Sequence, residues 1–244
     1  MLLGFANGDF WKLQDSSANR FNEDFLKFLF KSKTNAIELH CINQESIEYL
    51  AENEIPILKK FRYISMHSLV FDYDDSKYTH YILQETQNIC KKHNVSNVVF
   101  HADSIKNWNV LEKYHQNIPI SIENMDNEKT FGKTLEDMSK ILDNFPFNLT
   151  LDLQHCYVND NSMKLAHQFQ EKFKDRIVEY HISGYNKKEN HYPLFKTNQK
   201  IITESLLYKE KPIIIESVFN DFHEASQEIE YLNKHIFKSY SQTL

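Results

Sequence analysis

Glycine, cysteine and proline are all scarce in this chain of 244 residues, which holds four Gly, three Cys and five Pro. No glycine-rich phosphate loop follows the first apolar run, LLGFA (2–6), which counts against a doubly wound nucleotide-binding sheet. The three cysteines, Cys41, Cys90 and Cys156, are odd in number and lack CxxC spacing. They exclude a disulfide framework and a zinc knuckle, and a reducing cytoplasm is the expected setting. No Pro/Gly/Ser-rich linker or low-complexity tract interrupts the chain, so one domain over 1–244 is expected. No apolar stretch approaches the ~20 residues of a membrane span, and the N-terminus MLLGFANGDF has no basic flank of a signal peptide. A membrane partner is therefore not expected. An excess of positive charge is also missing: 28 basic against 34 acidic residues leave a net charge of -6. That argues against a general nucleic-acid footprint, although the field at a site depends on the side chains lining it.

What is present is apolar, periodic and rich in histidine. Hydrophobic residues make up 41% and aromatics 14%, enough for a large core, while the mean hydropathy of -0.57 fits a soluble protein. Short apolar runs recur about every 30 residues: LLGFA (2–6), AIELH (36–40), YISMH (63–67), NVVFH (97–101), PISIEN (119–124), LTLDLQH (149–155), IVEYHIS (177–183) and PIIIES (212–217). Between them lie segments with apolar residues at helical spacing, such as 22–33, 75–93, 133–145 and 223–237, with Asn22, Asp75 and Thr134 as expected helix starts. Eight strands alternating with eight helical segments imply a parallel sheet with helical crossovers. The length suits a single (β/α)₈ TIM barrel, which typically needs about 250 residues.

A barrel of this kind carries its active site at the C-terminal ends of the strands. Here those ends read His67, His101, Glu123 with Asn124, Asp152 with His155, His181, and Glu216, and the loop after strand seven adds Glu189 and His191. Any one of these has a plain structural explanation, because a lone strand-end His is usually a hydrogen-bonded structural residue and a lone Glu the first solvated position. Six consecutive strands ending alike are harder to explain so. Carboxylates and imidazoles gathered in one mouth are costly to desolvate, and a divalent cation offsets that cost. Imidazole mixed with carboxylate suits Zn²⁺, Mn²⁺, Co²⁺ or Fe²⁺ better than Mg²⁺. His40 shares a strand face with Glu38 and can line the same pocket, whereas His80, His93, His115, His167, His223 and His235 fall in or beside helical segments and read as surface or packing residues.

The segments ISIEN, LDLQH, VEYHIS, ENHYPL and IIIES resemble the xylose-isomerase-like TIM-barrel superfamily, and the likeness extends over all eight strands. That superfamily includes sugar isomerases, epimerases and endonuclease IV. Its epimerase branch implies one metal ion on Glu123, Asp152, His181 and Glu216, with both glutamates acting as acid/base groups. In that branch His155, Lys187, His67, His101 and Glu38 would contact substrate. The endonuclease IV branch implies three ions: His67, His101 and Glu123 for the first; Glu123, Asp152, His181 and Glu216 for the second; His155, Glu189 and His191 for the third. That branch also uses an arginine after strand two and an aromatic wedge after strand three, and this chain has Asn43-Gln44-Glu45 and Ser68-Leu69-Val70 there. Phosphate binding needs cations or free amides. The expectation is therefore a metal-dependent isomerase or epimerase (Zn, Mn or Co; one to three ions) of a small sugar-like hydroxy-carbonyl compound. The alternative is a multinuclear phosphodiester hydrolase, with DNA as partner under that reading only, and a non-catalytic barrel ranks third.

Overall fold

A computed structural model describes residues 2–14, 20–32 and 34–237. Lys33, at the end of the expected first helix, and both ends of the expected 1–244 domain lie outside the described residues. Eight parallel strands close into a barrel: β1 (Leu3–Ala6), β2 (Ala36–His40), β3 (Tyr63–His67), β4 (Asn97–His101), β5 (Ile120–Glu123), β6 (Asn148–Asp152), β7 (Ile177–Ile182) and, after an antiparallel hairpin of β8 (Gly184–Asn186) and β9 (Glu189–Tyr192), β10 (Ile213–Ile215). Neighbouring strands pair in chain order, and β1 closes the ring between β2 and β10. The helices are α1 (Glu23–Lys31), α2 (Gln44–Glu52), α3 (Lys77–His93), α4 (Trp108–Glu112), α5 (Leu135–Leu142), α6 (Leu153–Asn159), α7 (Lys164–Lys172), α8 (Leu194–Thr197), α9 (Lys200–Glu204) and α10 (Phe222–Leu232). The fold is the expected (β/α)₈ barrel. Among the described residues no helix is long and apolar enough to cross a membrane.

Local chemistry explains the boundaries. Asn22 and Thr134 cap α1 and α5, each side chain accepting from backbone N–H groups of the first turn. The third expected start moves by one residue, because the Ser76 hydroxyl rather than Asp75 accepts from Thr79 N. The sixth strand is shorter than expected. Asp152 ends β6 and its carboxylate accepts from His155 N at 2.8 Å, so it caps α6 directly and His155 lies in a helical first turn, not on a strand.

Side-chain alternation splits the barrel wall into two chemistries. Outward residues such as Ile37, Met66, Val98, Phe100, Ile122 and Leu151 join the main core under the helices. Inside, the apolar cluster is only Ala6, Ala36 and Ile214 with Leu2 and Tyr63 packed on it. Val99 apart, the rest of the interior wall among the described residues is polar and buried: Glu38, Ser65, Asn97, Ser121, Thr150 and Glu179. Barrels of this kind usually fill that space with bulky branched aliphatics. Gly4 admits the tight closure of β1 on β2, since a Cβ there would sit 2.2 Å from the Ala36 carbonyl oxygen. Gly4→Ala must push backbone from backbone, so it is expected to destabilise the fold by roughly 3 kcal/mol in urea melts. An unchanged midpoint would mean that β1 does not close the barrel as described.

Candidate metal centre

The strand ends bring two donor clusters together in the barrel mouth. Glu123, Asp152, His181 and Glu216 each offer an atom within 4.8 Å of the others, and all four are buried. His181 Nδ1 lies 3.0 Å from Glu123 Oε1 and 3.1 Å from Glu216 Oε2. The second cluster is His67, His101 and Glu123. Its two imidazole Nε2 atoms approach to 3.0 Å, and Glu123 Oε2 lies 3.3 Å from His101 and 3.6 Å from His67. Glu123 thus presents one oxygen to each cluster. A third group lies beneath the mouth: His181 Nε2 is 3.1 Å from Glu38 Oε2 and 3.3 Å from Glu179 Oε1.

Burial and neighbouring charge set the protonation of these groups. Burial alone would raise the Glu123 and Glu216 carboxyls, but His181 outweighs it and holds both below their usual range, with His67 and His101 adding to the effect on Glu123. Asp152 has no such surplus of cation around it, and burial pushes it up to about 7. Burial opposes charge on His181, yet Glu216, Glu38 and Glu123 hold it well above its ordinary value. His67 rises to about 9 against its burial, chiefly through the Glu123 carboxylate 3.6 Å away, whereas burial and the charge on His67 press His101 down to about 3. Protons therefore do the work of cations here. Glu123 Oε2 and Asp152 Oδ2 are buried without a hydrogen-bond partner, and this mix of carboxylate and imidazole fits a borderline divalent ion.

The proton on His67 gives a pH dependence with a definite sign. Its folded value lies above its free value of about 6.5, so its stabilising contribution is complete below pH 6.5 and is lost as pH rises through 9. The raised Asp152 contributes in the same direction up to about pH 7. The loss from His67 is about 3 kcal/mol, so Tm of metal-free protein should fall by roughly 5–10 °C between pH 6.5 and 9. Added Zn²⁺ should reverse the fall, because an ion competes with the departing protons. A metal-free Tm that stays flat across this range would contradict the assigned charges.

A cavity of about 230 Å³ opens above the clusters. His67, His101, Glu123 and Glu216 line it as expected, and so do His155, His191 and His40. His155 Nδ1 bonds the Asn124 carbonyl at 2.8 Å, and its ring stands 5.5 Å from that of His191. His191 Nδ1 is 3.8 Å from Glu216 Oε2.

Three expected placements are corrected. Glu38 does not face the cavity; it is fully buried beneath His181, because it lies two residues deeper on β2 than His40. Lys187 and Glu189 sit exposed at the tip of the β8–β9 hairpin, where Asn186 Oδ1 accepts from the Lys188 and Glu189 amides and turns the chain outward. Glu189 pairs with Lys12 at 3.9 Å rather than joining His155 and His191, so the expected third ligand set is not assembled. The lysine that does line the cavity is Lys129, paired with Asp103 at 3.4 Å. Sequence reasoning passed over Lys129, Asp126 and Glu179. For Glu179 the signal was there: it sits two residues before His181 in IVEYHIS and so shares its strand face.

No protein-family model and no curated protein matches the sequence. Solved structures match its fold. Endonuclease IV from Thermus thermophilus superposes with a TM-score of 0.66 at 11% identity, over 98% of this chain and 100% of that one. D-allulose 3-epimerase from Methylomonas sp. gives 0.67 at 15%, over 96% and 98%. A xylose isomerase domain protein from Alicyclobacillus acidocaldarius gives 0.58 at 12%, over 96% and 98%. The chain shares the (β/α)₈ barrel fold of these three proteins, whose activities differ.

Proposed function

We propose that this chain is a divalent-metal enzyme that isomerises or epimerises a small polyhydroxylated carbonyl compound by proton transfer. The observation that carries the reading is the pair Glu123 and Glu216. Both carboxylates are held ionised against one imidazole, at the base of a cavity of about 230 Å³ whose lining is histidine, carboxylate, two apolar side chains and one lysine. Such a space suits a molecule of a few carbons and is too small to engulf a nucleotide pair. A bound ion would polarise a substrate carbonyl and stabilise negative charge on its oxygen. Glu123, Asp152, His181 and Glu216 are the residues that would hold it. Of the two glutamates, one removes a proton from the carbon next to the carbonyl and the other returns it. His155 and His191, beside the two glutamates, offer ring nitrogens to substrate hydroxyls, and Met125 and Val70 exclude water at the rim. Structurally similar proteins include the D-allulose 3-epimerase above, which supports this class.

A second reading has its own observation. The His67, His101 and Glu123 cluster is a separate donor set sharing Glu123 with the first, and two adjoining ions would suit hydrolysis of a phosphodiester. The two readings part in heavy water. An isomerase is expected to wash deuterium from solvent into a ketose or aldose substrate only when metal is present. Stoichiometric metal binding with no exchange across a panel of such sugars, and hydrolysis of a small phosphodiester instead, would replace the first reading by the second.

A further inference from the structure

We propose that the barrel interior beneath the mouth binds a hard divalent cation on oxygen atoms alone, supplied by Glu38, Glu179 and Ser65. This site is separate from the four-donor cluster above it and does not depend on the metal reading proposed for the mouth. Polar residues face inward around the barrel at this depth, and their hydrogen bonds divide them into two halves. From β4 to β7 the side chains serve one another. Asn97 Nδ2 donates to Thr150 Oγ1 and to Glu179 Oε1, both at 3.1 Å, and Ser121 Oγ lies 2.7 Å from Thr150 Oγ1. His181 Nε2 adds its N–H to Glu179 Oε1 at 3.3 Å. Toward β2 and β3 the pattern stops. Both oxygens of Glu38, the Ser65 hydroxyl and the second Glu179 oxygen, Oε2, are buried and have no hydrogen-bond partner among the described residues. His181 Nε2 does lie 3.1 Å from Glu38 Oε2, but without the alignment of a hydrogen bond. Glu38 and Ser65 are register partners on adjacent strands, so the two face the interior side by side.

An ionised carboxylate only accepts, so this half of the layer is completed by a donor or by a cation. Two carboxylates here face a single imidazole, whose other nitrogen already stands against Glu123 and Glu216. A buried charge without compensation is destabilising, and a cation removes that cost. The geometry has room for one. Glu38, Glu179 and His181 each bring a donor atom within 4.8 Å of the others. Oxygens lie about 2.0–2.6 Å from a hard cation, so two ligands of one ion stand at most about 5 Å apart. Because His181 turns its N–H to this side, it is not a ligand, and a set of oxygens alone favours Mg²⁺, Ca²⁺ or Mn²⁺ over Zn²⁺. The Tyr63 hydroxyl, also buried without a partner, is a further oxygen from the layer below; burial and the nearby Glu179 charge push it well above its ordinary pKa. Such an ion would tie β2 and β3 to β7 across the barrel, at a depth that branched aliphatics usually fill.

The test reads Mn²⁺ by electron paramagnetic resonance in the full chain, stripped of metal and then incubated with excess Mn²⁺. An ion in the mouth is held partly by imidazole and shows hyperfine coupling to nitrogen, whereas the interior ion should show none. Glu38→Gln keeps volume and shape, and should weaken the nitrogen-free ion by roughly 100-fold or more, since a charged ligand is lost. Ser65→Ala, which removes a neutral ligand, should weaken it by about 10-fold and decides the matter alone if Glu38→Gln does not fold. Asp152→Asn should disturb only the nitrogen-coupled ion. Mn²⁺ should still raise the Tm of the Asp152→Asn protein by about 3–6 °C, and should leave that of Asp152→Asn with Glu38→Gln nearly unchanged. A parent without a stoichiometric nitrogen-free ion, or one whose nitrogen-free ion survives both Glu38→Gln and Ser65→Ala, would overturn the proposal. Loss of the nitrogen-coupled ion alone would count against the reading of the mouth and leave the interior site standing.

Discussion

Glu216→Gln is expected to lower turnover by roughly 10³-fold or more while Zn²⁺ binding weakens far less. Glu216 lies just past the end of β10 with Oε2 at 3.1 Å from His181 Nδ1 and at 3.8 Å from His191 Nδ1, and its charge is maintained in spite of burial. A glutamine fills the same space and can still turn an amide oxygen toward an ion, but it cannot take up or return a proton. General acid–base groups typically contribute about 10²–10⁴-fold, and a group that also shapes the charge around the substrate falls at the upper end. Glu123→Gln should do at least as much damage, because Glu123 serves both donor clusters and leaves His67 without its carboxylate partner. Steady-state rates beside metal content measure the split. A Glu216→Gln enzyme with turnover within a few-fold of the parent would take that residue out of the chemistry.

Duplex DNA carrying an abasic site is expected to survive incubation with the Zn²⁺- or Mn²⁺-loaded protein. Strand-selective cleavage would need cations around the phosphates and a wedge in the helix. Around this mouth Glu45 stands at the start of α2, Val70 stands half-exposed at the rim, and Asp103 already engages Lys129. The acidic excess of six charges would repel a polyanion further. The companion variant is His67→Ala with His101→Ala. It removes one donor set and leaves Glu123, Asp152, His181 and Glu216 in place, so an isomerase should keep a bound ion and lose affinity or selectivity for substrate. A two-ion hydrolase should instead lose activity by several orders of magnitude. Efficient abasic-site cleavage that vanishes in the double variant would reverse the order of the two readings.

Much of this was legible in the chain because it depends on short-range rules. Strand ends at His40, His67 and His101 could be read from β-branched and aromatic runs, and β5 and β7 ended within a residue of expectation. Parallel closure then follows from alternation with helices, and it alone sends the metal-capable residues to one end. What the chain did not reveal is how deep a side chain sits and which way a loop turns. Glu38 and His40 share a face and look equivalent in AIELH, yet one rise of the barrel separates a residue beneath an imidazole from one lining the cavity. His155 read as the end of a strand because LTLDLQH is apolar enough, and only the capping bond from Asp152 to its amide bends the chain into α6. ENHYPL suggested a ligand loop, but Asn186 closes a hairpin that carries Lys187 and Glu189 into solvent and leaves only His191 at the mouth. Sequence by itself therefore determined the barrel and the kinds of donor at its mouth, since periodicity and residue chemistry are local. Tertiary structure decided which donors meet, because Glu123 is shared between clusters, and Glu38 and Glu179 converge on His181, only after strands from distant parts of the chain close the ring.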